Sequence, residues 1–143
     1  MNITISQGNH AFNVKSDATI IIDVLRAGTT AHYLSQYAIK SCTLVPDKAT
    51  AFSLKDRATL LVGEEQGIKI EGFDFGNSPY RILDQDAKFN NKKVVFLTSN
   101  GTKALLNNFQ PNGTFLCGLV NAATTVEYLK QQSLPSIHII ASH

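Results

Sequence analysis

The chain has 143 residues, of which 43% are hydrophobic and 17% charged, and its formal net charge is +2. This length suits one domain with its own core, and this composition excludes a disordered chain. The small charge, with no cluster of lysine and arginine, excludes a typical nucleic-acid-binding protein. No apolar run is long enough to span a membrane, and the polar N-terminus predicts a cytoplasmic protein rather than a secreted one.

Short apolar runs of strand length alternate with segments of helical pattern. The predicted strands are 20–24, 42–45, 60–62, 93–97, 115–117 and 137–141. The predicted helices are 30–37, 48–55, 102–108 and 122–131. Residues 2–14 are expected to add a hairpin or an edge strand. Near-continuous Val/Ile/Leu runs separated by helices predict a single α/β domain over residues 1–143, with a mainly parallel sheet, helices on both faces and βαβ units, two of which could pack side by side.

The segment from Glu64 to about Tyr80 interrupts this alternation. It is rich in glycine, contains Pro79 and shows no clean hydrophobic period. Long ordered loops in compact domains are usually functional, so this loop is expected to contribute to a site.

Two cysteines, Cys42 and Cys117, lie in apolar strand-like runs. This placement favours two buried, reduced thiols. A disulfide is a weaker interpretation in a reducing compartment. A catalytic thiol is weaker still, because no histidine follows at a telling position.

Polar residues follow the carboxyl ends of the predicted strands, where open α/β sheets bind ligands. They form four stretches: 23–30, 64–67, 98–102 and 118–122. Helix N-termini and the guanidinium of Arg26 suit a phosphate or sulfonate. Asp23 and Glu64 are hard oxygen ligands of the kind that Mg²⁺ prefers.

Each of these features also has a purely structural interpretation. Asn100 with Gly101 could form only a turn, and Thr102 could be only an N-cap. Arg26 could pair with Asp23, three residues away, and this pairing is compatible with a role toward substrate. Asp23 is harder to explain structurally, because it ends an apolar run where an unpaired charge is costly.

Several stretches resemble the 2-phosphosulfolactate phosphatase family. Residues 23–30, Asp-Val-Leu-Arg-Ala-Gly-Thr-Thr, are similar to a signature of that family. Gly-Glu at 63–64 with Gly67, followed by residues 71–79, resembles its Gly-Glu and Gly-Phe-Asp-Leu-Gly-Asn-Ser-Pro blocks. Residues 98–102 resemble its Thr-Thr-Asn-Gly-Thr block, with Ser99 replacing one threonine, and 121–122 match an Asn-Ala pair. The order and spacing agree from about residue 19 onward.

The resemblance implies a Mg²⁺-dependent hydrolase that converts 2-phosphosulfolactate to sulfolactate and phosphate, a step toward coenzyme M. Residue chemistry within the resembling blocks then suggests roles. The predicted catalytic residues are Asp23, Arg26, Glu64 and Asp74, and the predicted metal ligands are Asp23, Glu64 and Asp74. The predicted substrate-binding residues are Thr29, Thr30, Asn77, Ser78, Asn100, Gly101, Thr102 and Asn121.

Members of that family are longer and continue past the last strand with a glycine-rich loop, whereas this chain stops at Ser142 and His143. The alternative prediction is therefore a truncated, non-catalytic domain of the same fold that binds an anion or self-associates. The expected partner is a small phosphorylated or sulfonated acid, with neither nucleic acid nor membrane. A homodimer is left open.

Overall fold

The computed structural model describes residues 1–111 and 113–143, apart from the side chain of Asp86. In this part of the chain, the strands are β1 (Asn2–Gln7), β2 (Ala18–Ile22), β3 (Ser41–Leu44), β4 (Thr59–Glu65), β5 (Ile68–Lys69), β6 (Lys93–Leu97), β7 (Thr114–Cys117) and β8 (Ser136–Ala141). The helices are α1 (Ala27–Ser35), α2 (Lys48–Ser53), α3 (Pro79–Ile82), α4 (Asp86–Phe89), α5 (Gly101–Asn107) and α6 (Ala122–Gln131), with a 3₁₀ turn at Leu119–Asn121. None of the helices described is long and apolar enough to cross a membrane.

The strands form two four-stranded sheets. Sheet A has the order β1-β8-β2-β7 and is entirely parallel, while sheet B has the order β3-β6-β4-β5 and is parallel except for the β4–β5 hairpin. The chain passes from sheet A to sheet B through α1 and returns through α5. The predicted α/β class with mainly parallel strands is confirmed, and the strands are shared between two sheets because of these two crossings.

Helices pack against both faces of each sheet. Ala104 of α5 packs on one face of sheet A and Leu129 of α6 on the other. Leu34 of α1 packs on one face of sheet B and Ala51 of α2 on the other. Successive residues of β4 point alternately toward α2 and α1, as the pleat requires. This arrangement explains the nearly continuous apolar runs, because each central strand is buried on both sides.

Two sequence-based predictions, on the burial of the cysteines and on the structure of the N-terminus, concern strands at the edges of the sheets. Both cysteines are free thiols; Cys117 is buried, but Cys42 is exposed. The prediction of a buried Cys42 is wrong because β3 lies at the edge of sheet B, where its residues remain open to solvent. The predicted edge strand near the N-terminus is confirmed as β1, which lies at one end of sheet A next to β8.

The predicted loop 64–80 contains a hairpin. Gln66 and Gly67 have φ values of 53° and 83° and join β4 to the short β5. Two successive residues with positive φ form the tight type of turn that matches the twist of a hairpin. Phe75 then makes a parallel bridge to Val62, which returns the chain to the edge of β4. The loop is therefore anchored to sheet B along most of its length.

Candidate functional site

A small cavity of about 120 Å³ lies where the ends of strands from both sheets meet. Its lining residues are Asp23, Leu25, Arg26, Glu64, Gly67, Asn77 and Asn100. Asp23 directly follows β2 of sheet A, whereas Glu64 lies in β4 and Asn100 follows β6, both in sheet B. The three stretches that the sequence places at strand ends therefore meet in the structure.

Asp23 is held rigidly at this cavity and is 3% exposed. Its Oδ1 accepts the backbone N–H of Ala27 at 2.9 Å, and its Oδ2 accepts the hydroxyl of Ser142 at 3.1 Å. A Cβ on Gly101 would lie 2.6 Å from Oδ2, so only glycine lets α5 approach this carboxylate. The position at the start of α1 also favours a negative charge, because the helix dipole is positive there.

Glu64 is 7% exposed and joins the hairpin to the loop after β6. Its Oε1 accepts the N–H of Ser99 at 2.7 Å, and its Oε2 accepts the N–H of Gly67 and the hydroxyl of Ser99. Hydrogen bonds from backbone N–H groups stabilise an ionised carboxylate. Glu64 thus combines a structural role with a place in the cavity wall.

Neither buried carboxylate has a cationic partner in the described part of the chain. The ion pairs found there join Lys48 with Glu65, Lys55 with Asp74, and Lys93 with Asp56. The predicted pair of Arg26 with Asp23 is not formed, because the Arg26 guanidinium extends to the hairpin and donates to the carbonyl of Gly67 at 3.1 Å. Asp23 and Glu64 are therefore stabilised by neutral hydrogen-bond donors, and no side-chain cation among the described residues pairs with them.

Two asparagine side chains complete the polar wall. Asn100 accepts a hydrogen bond at Oδ1 from Nδ2 of Asn9 at 2.8 Å, which leaves its own Nδ2 as a donor. Asn77 is 5% exposed, and its Oδ1 is enclosed without any hydrogen-bond donor among the described residues. Buried polar atoms are almost always paired, so this oxygen indicates a missing partner.

Asp74, the third predicted metal ligand, is not among the residues that line this cavity. Its Oδ2 accepts the N–H of Leu61 at 2.8 Å and lies 3.4 Å from Nζ of Lys55. No three His, Cys, Asp or Glu side chains within the described residues are grouped closely enough to hold one ion. The structure therefore brings Asp23 and Glu64 together but does not add Asp74 to them.

A wider cavity of about 680 Å³ adjoins the small one, since Arg26, Gly67 and Asn77 line both. Its other charged lining residues are Lys69, Arg81, Lys88, Asp74 and Asp84. The cations outnumber the anions, and Asp74 is already engaged with a lysine. This cavity is therefore suited to an acidic group of a ligand whose other end enters the small cavity.

Comparisons with known proteins identify the family of this chain. The family model described as 2-phosphosulpholactate phosphatase matches residues 4–143. The chain belongs to the 2-phosphosulfolactate phosphatase family. The match includes the four polar stretches, so the family assignment covers every residue that lines the small cavity.

Three relatives in the 2-phosphosulfolactate phosphatase family illustrate the similarity. A probable 2-phosphosulfolactate phosphatase of Bacillus subtilis is 39% identical over 147 residues, covering 100% of this chain and 64% of the relative. One of Caldicellulosiruptor saccharolyticus is 38% identical, covering 85% and 50%. The 2-phosphosulfolactate phosphatase of Methanocaldococcus jannaschii is 36% identical, covering 85% and 55%. The chain thus spans 50 to 64% of the length of these relatives.

Three of the predicted substrate-binding residues use their side chains to stabilise the turns in which they lie, through hydrogen bonds to nearby backbone groups. Thr29 donates to the carbonyl of Val24 at 3.0 Å. Thr102 is fully buried and donates to the carbonyl of Thr98 at 2.7 Å. Asn121 closes the turn after β7 by accepting the N–H of Gly118 at 2.8 Å and donating to the carbonyl of Leu116 at 3.0 Å.

The other predicted substrate-binding residues lie in different surroundings. Thr30 is fully buried, and its Oγ1 lacks a hydrogen-bond partner among the described residues. Gly101 packs directly against Asp23, and Ser78 lines the wider cavity. Only Asn77 and Asn100 of the predicted substrate-binding set line the small cavity of this 2-phosphosulfolactate phosphatase family member.

Three residues that position the site are not among the residues predicted to be catalytic, to bind substrate or to bind metal. Asn9 orients Asn100, Ser142 binds Asp23, and Ser99 binds Glu64. Asn9 and Ser142 follow β1 and β8, which are parallel strands of sheet A. The rule that polar residues at carboxyl ends of parallel strands form sites would have identified both.

Proposed function

We propose that this chain forms the site of a Mg²⁺-dependent phosphatase that hydrolyses a phosphomonoester of a small hydroxyacid, such as 2-phosphosulfolactate, to sulfolactate and inorganic phosphate. The observation that carries this proposal is the pair of buried carboxylates, Asp23 and Glu64, which share one cavity without a cationic partner among the described residues. The names of the relatives from Bacillus subtilis and Methanocaldococcus jannaschii support the reaction.

The oxygen atoms at the cavity fit Mg²⁺. Asp23 and Glu64 would hold the ion, since Mg²⁺ is usually bound by one or two carboxylates, with water and substrate oxygens completing its shell. Asn77 lines the same cavity, and its buried Oδ1, which has no donor among the described residues, would supply a further oxygen. When bound, Mg²⁺ neutralises charge on the phosphoryl oxygens and polarises the bond to phosphorus.

The chain's own residues bind and orient the phosphoryl group. Arg26 reaches both cavities and offers the forked donor geometry that suits phosphate oxygens. Asn100 offers its Nδ2, because Asn9 already occupies its Oδ1. These donors are fixed before substrate arrives, so little reorganisation accompanies the reaction. In the net reaction a water oxygen bonds to phosphorus, the ester P–O bond breaks, and the hydroxyacid oxygen leaves with a proton.

In this proposal, the wider cavity binds the acid part of the substrate. Arg81 and Lys88 line it, and Nζ of Lys88 lies 5.6 Å from the centre of the Phe75 ring. A sulfonate or carboxylate bound in the wider cavity would be separated from a phosphate in the small cavity by Arg26 and Asn77, which line both cavities. This arrangement favours a substrate with at least two negative groups over a simple alkyl phosphate.

The test measures phosphate release from 2-phosphosulfolactate and a panel of phosphorylated hydroxyacids, with Mg²⁺ or with excess EDTA. We expect release that requires Mg²⁺, and a loss of roughly 100-fold or more in Asp23→Asn. Asp47→Asn is the matched control, because Asp47 caps α2 by accepting the N–H of Thr50 at 2.7 Å and asparagine caps equally well.

The absence of release from the whole panel would overturn the proposed activity. Thermal stabilisation by phosphate or sulfate without turnover would instead support the alternative of a non-catalytic anion-binding domain. A cytoplasmic location and a homodimer stay predictions.

A further inference from the structure

We infer that Oδ1 of Asn77 is a third oxygen ligand of the divalent cation at Asp23 and Glu64. This inference rests on the proposed function, which assigns Mg²⁺ to those two carboxylates. It replaces the sequence-based expectation that Asp74 completes the metal site and that Asn77 binds substrate.

The enclosed oxygen is the observation behind this inference. Asn77 is 5% exposed and lines the small cavity together with Asp23 and Glu64. Its Oδ1 has no donor among the described residues, although buried polar atoms in folded proteins are almost always paired. The partner of this oxygen is therefore not one of the described residues.

The chemistry of the atom narrows that partner to a few possibilities. An amide oxygen only accepts hydrogen bonds, and so do the ionised oxygens of a phosphate or sulfonate, so these two groups repel each other. A donor such as water, or a cation, can occupy the position. Two buried carboxylates on the same cavity favour the cation, and amide and carboxylate oxygens together are typical ligands of hard divalent ions.

The backbone before Asn77 explains why this side chain reaches the cavity. Phe75 donates its N–H to Leu61 at 3.1 Å and accepts the N–H of Gly63 at 3.0 Å, so the chain runs along the edge of β4 toward Glu64. Asn77 follows two residues later, just before α3 begins at Pro79. Asp74 lies earlier on this edge, where it is engaged by Leu61 and Lys55.

The experiment measures cation affinity of the whole chain without substrate, using Mn²⁺ detected by electron paramagnetic resonance. We expect Asn77→Ala to weaken Mn²⁺ binding by about tenfold or more. Asn77→Asp should bind Mn²⁺ as tightly as the parent chain or more tightly, because it keeps the oxygen and adds charge. Asn13→Ala, at an exposed asparagine, is the matched control and should leave the affinity unchanged.

The outcomes separate this inference from the proposed function. Unchanged Mn²⁺ affinity in Asn77→Ala, with weakened affinity in Asp23→Asn, would overturn the inference and leave the two-carboxylate site standing. Weakened Mn²⁺ binding in Asn77→Asp would also overturn the inference, because that result would mean that binding needs the amide nitrogen rather than the oxygen. If Asn77→Ala does not fold by circular dichroism, Asn77→Asp decides alone. A parent chain that binds no Mn²⁺ would refute the proposed metal site itself.

Discussion

Replacing Gly101 with alanine tests whether the packing of α5 on Asp23 is as tight as the structure shows. The added Cβ would lie 2.6 Å from the Cβ of Ala27 and 2.6 Å from Oδ2 of Asp23. Asp23 cannot rotate away without losing its hydrogen bonds to Ala27 and Ser142. The substitution must therefore push α5 away from α1, which separates the two helices on which the cavity depends.

Two opposing effects set the magnitude. Alanine is favoured over glycine inside a helix by up to about 1 kcal/mol, and by less at a first helical position such as residue 101. Overpacking a tightly packed core costs about 1–3 kcal/mol. The steric cost should exceed the gain in helix propensity, because the Cβ of Ala27 and Oδ2 of Asp23 are both held in place. We expect Gly101→Ala to lower the free energy of unfolding by about 1–2 kcal/mol and Tm by roughly 3–8 °C.

The assay is thermal unfolding by circular dichroism, with and without Mg²⁺, at one protein concentration. Lys103→Ala is the control, because it changes an exposed residue of the same helix. The variant should also gain less thermal stability from Mg²⁺ than the parent chain, since the shift of α5 disturbs Asp23. A Gly101→Ala chain as stable as the parent, or more stable, would refute the reasoning and show that helix propensity dominates.

Three further predictions concern other parts of the molecule. Glu64→Gln should lower the free energy of urea unfolding by about 1–3 kcal/mol, because an amide nitrogen cannot accept a backbone N–H; an equal loss in the exposed control Glu65→Gln would contradict this. Asn9→Ala should weaken inorganic phosphate binding several-fold in calorimetry, since Asn100 is then no longer oriented, and unchanged affinity would argue against that role. Burial lowers the pKa of His138, so this side chain binds a proton more readily in the unfolded chain than in the folded one. The free energy of unfolding should therefore be highest above about pH 7 and should decline as pH falls through 6.5. In His138→Gln the Tm between pH 5 and 8 should vary less, and an identical pH profile would contradict this assignment.

The sequence pattern predicts the bounds of a helix or strand correctly where those bounds depend on the element's own residues. Strand β6 and helix α6 have the bounds predicted from the sequence, because each is flanked by residues that end the pattern. Helix α1 begins at Ala27, three residues earlier than predicted, since Asp23 accepts the N–H of Ala27 and stabilises the first turn. Helix α3 was missed, although Ser78 followed by Pro79 is a typical helix start.

The site was predictable to the extent that it follows from strand ends. Asp23, Glu64 and Asn100 meet because they follow or end parallel strands, a rule that needs no knowledge of which strands pair. The separation of Asp74 from Asn77 was not predictable. It depends on the bridge between Phe75 and Val62, a contact between residues distant in sequence that decides which side chains face the cavity. The division into two sheets depends on similar long-range pairing.

The cavity joins parts of the molecule that belong to different sheets, since Asp23 extends from sheet A and Glu64 from sheet B. An ion bound by both carboxylates would act as a crosslink between the two sheets. Its binding should slow amide hydrogen exchange in β2 and β4 together, rather than at the cavity alone. Because such coupling is reciprocal, a remote substitution that loosens the contact between the two sheets should reduce ion affinity without touching any ligand.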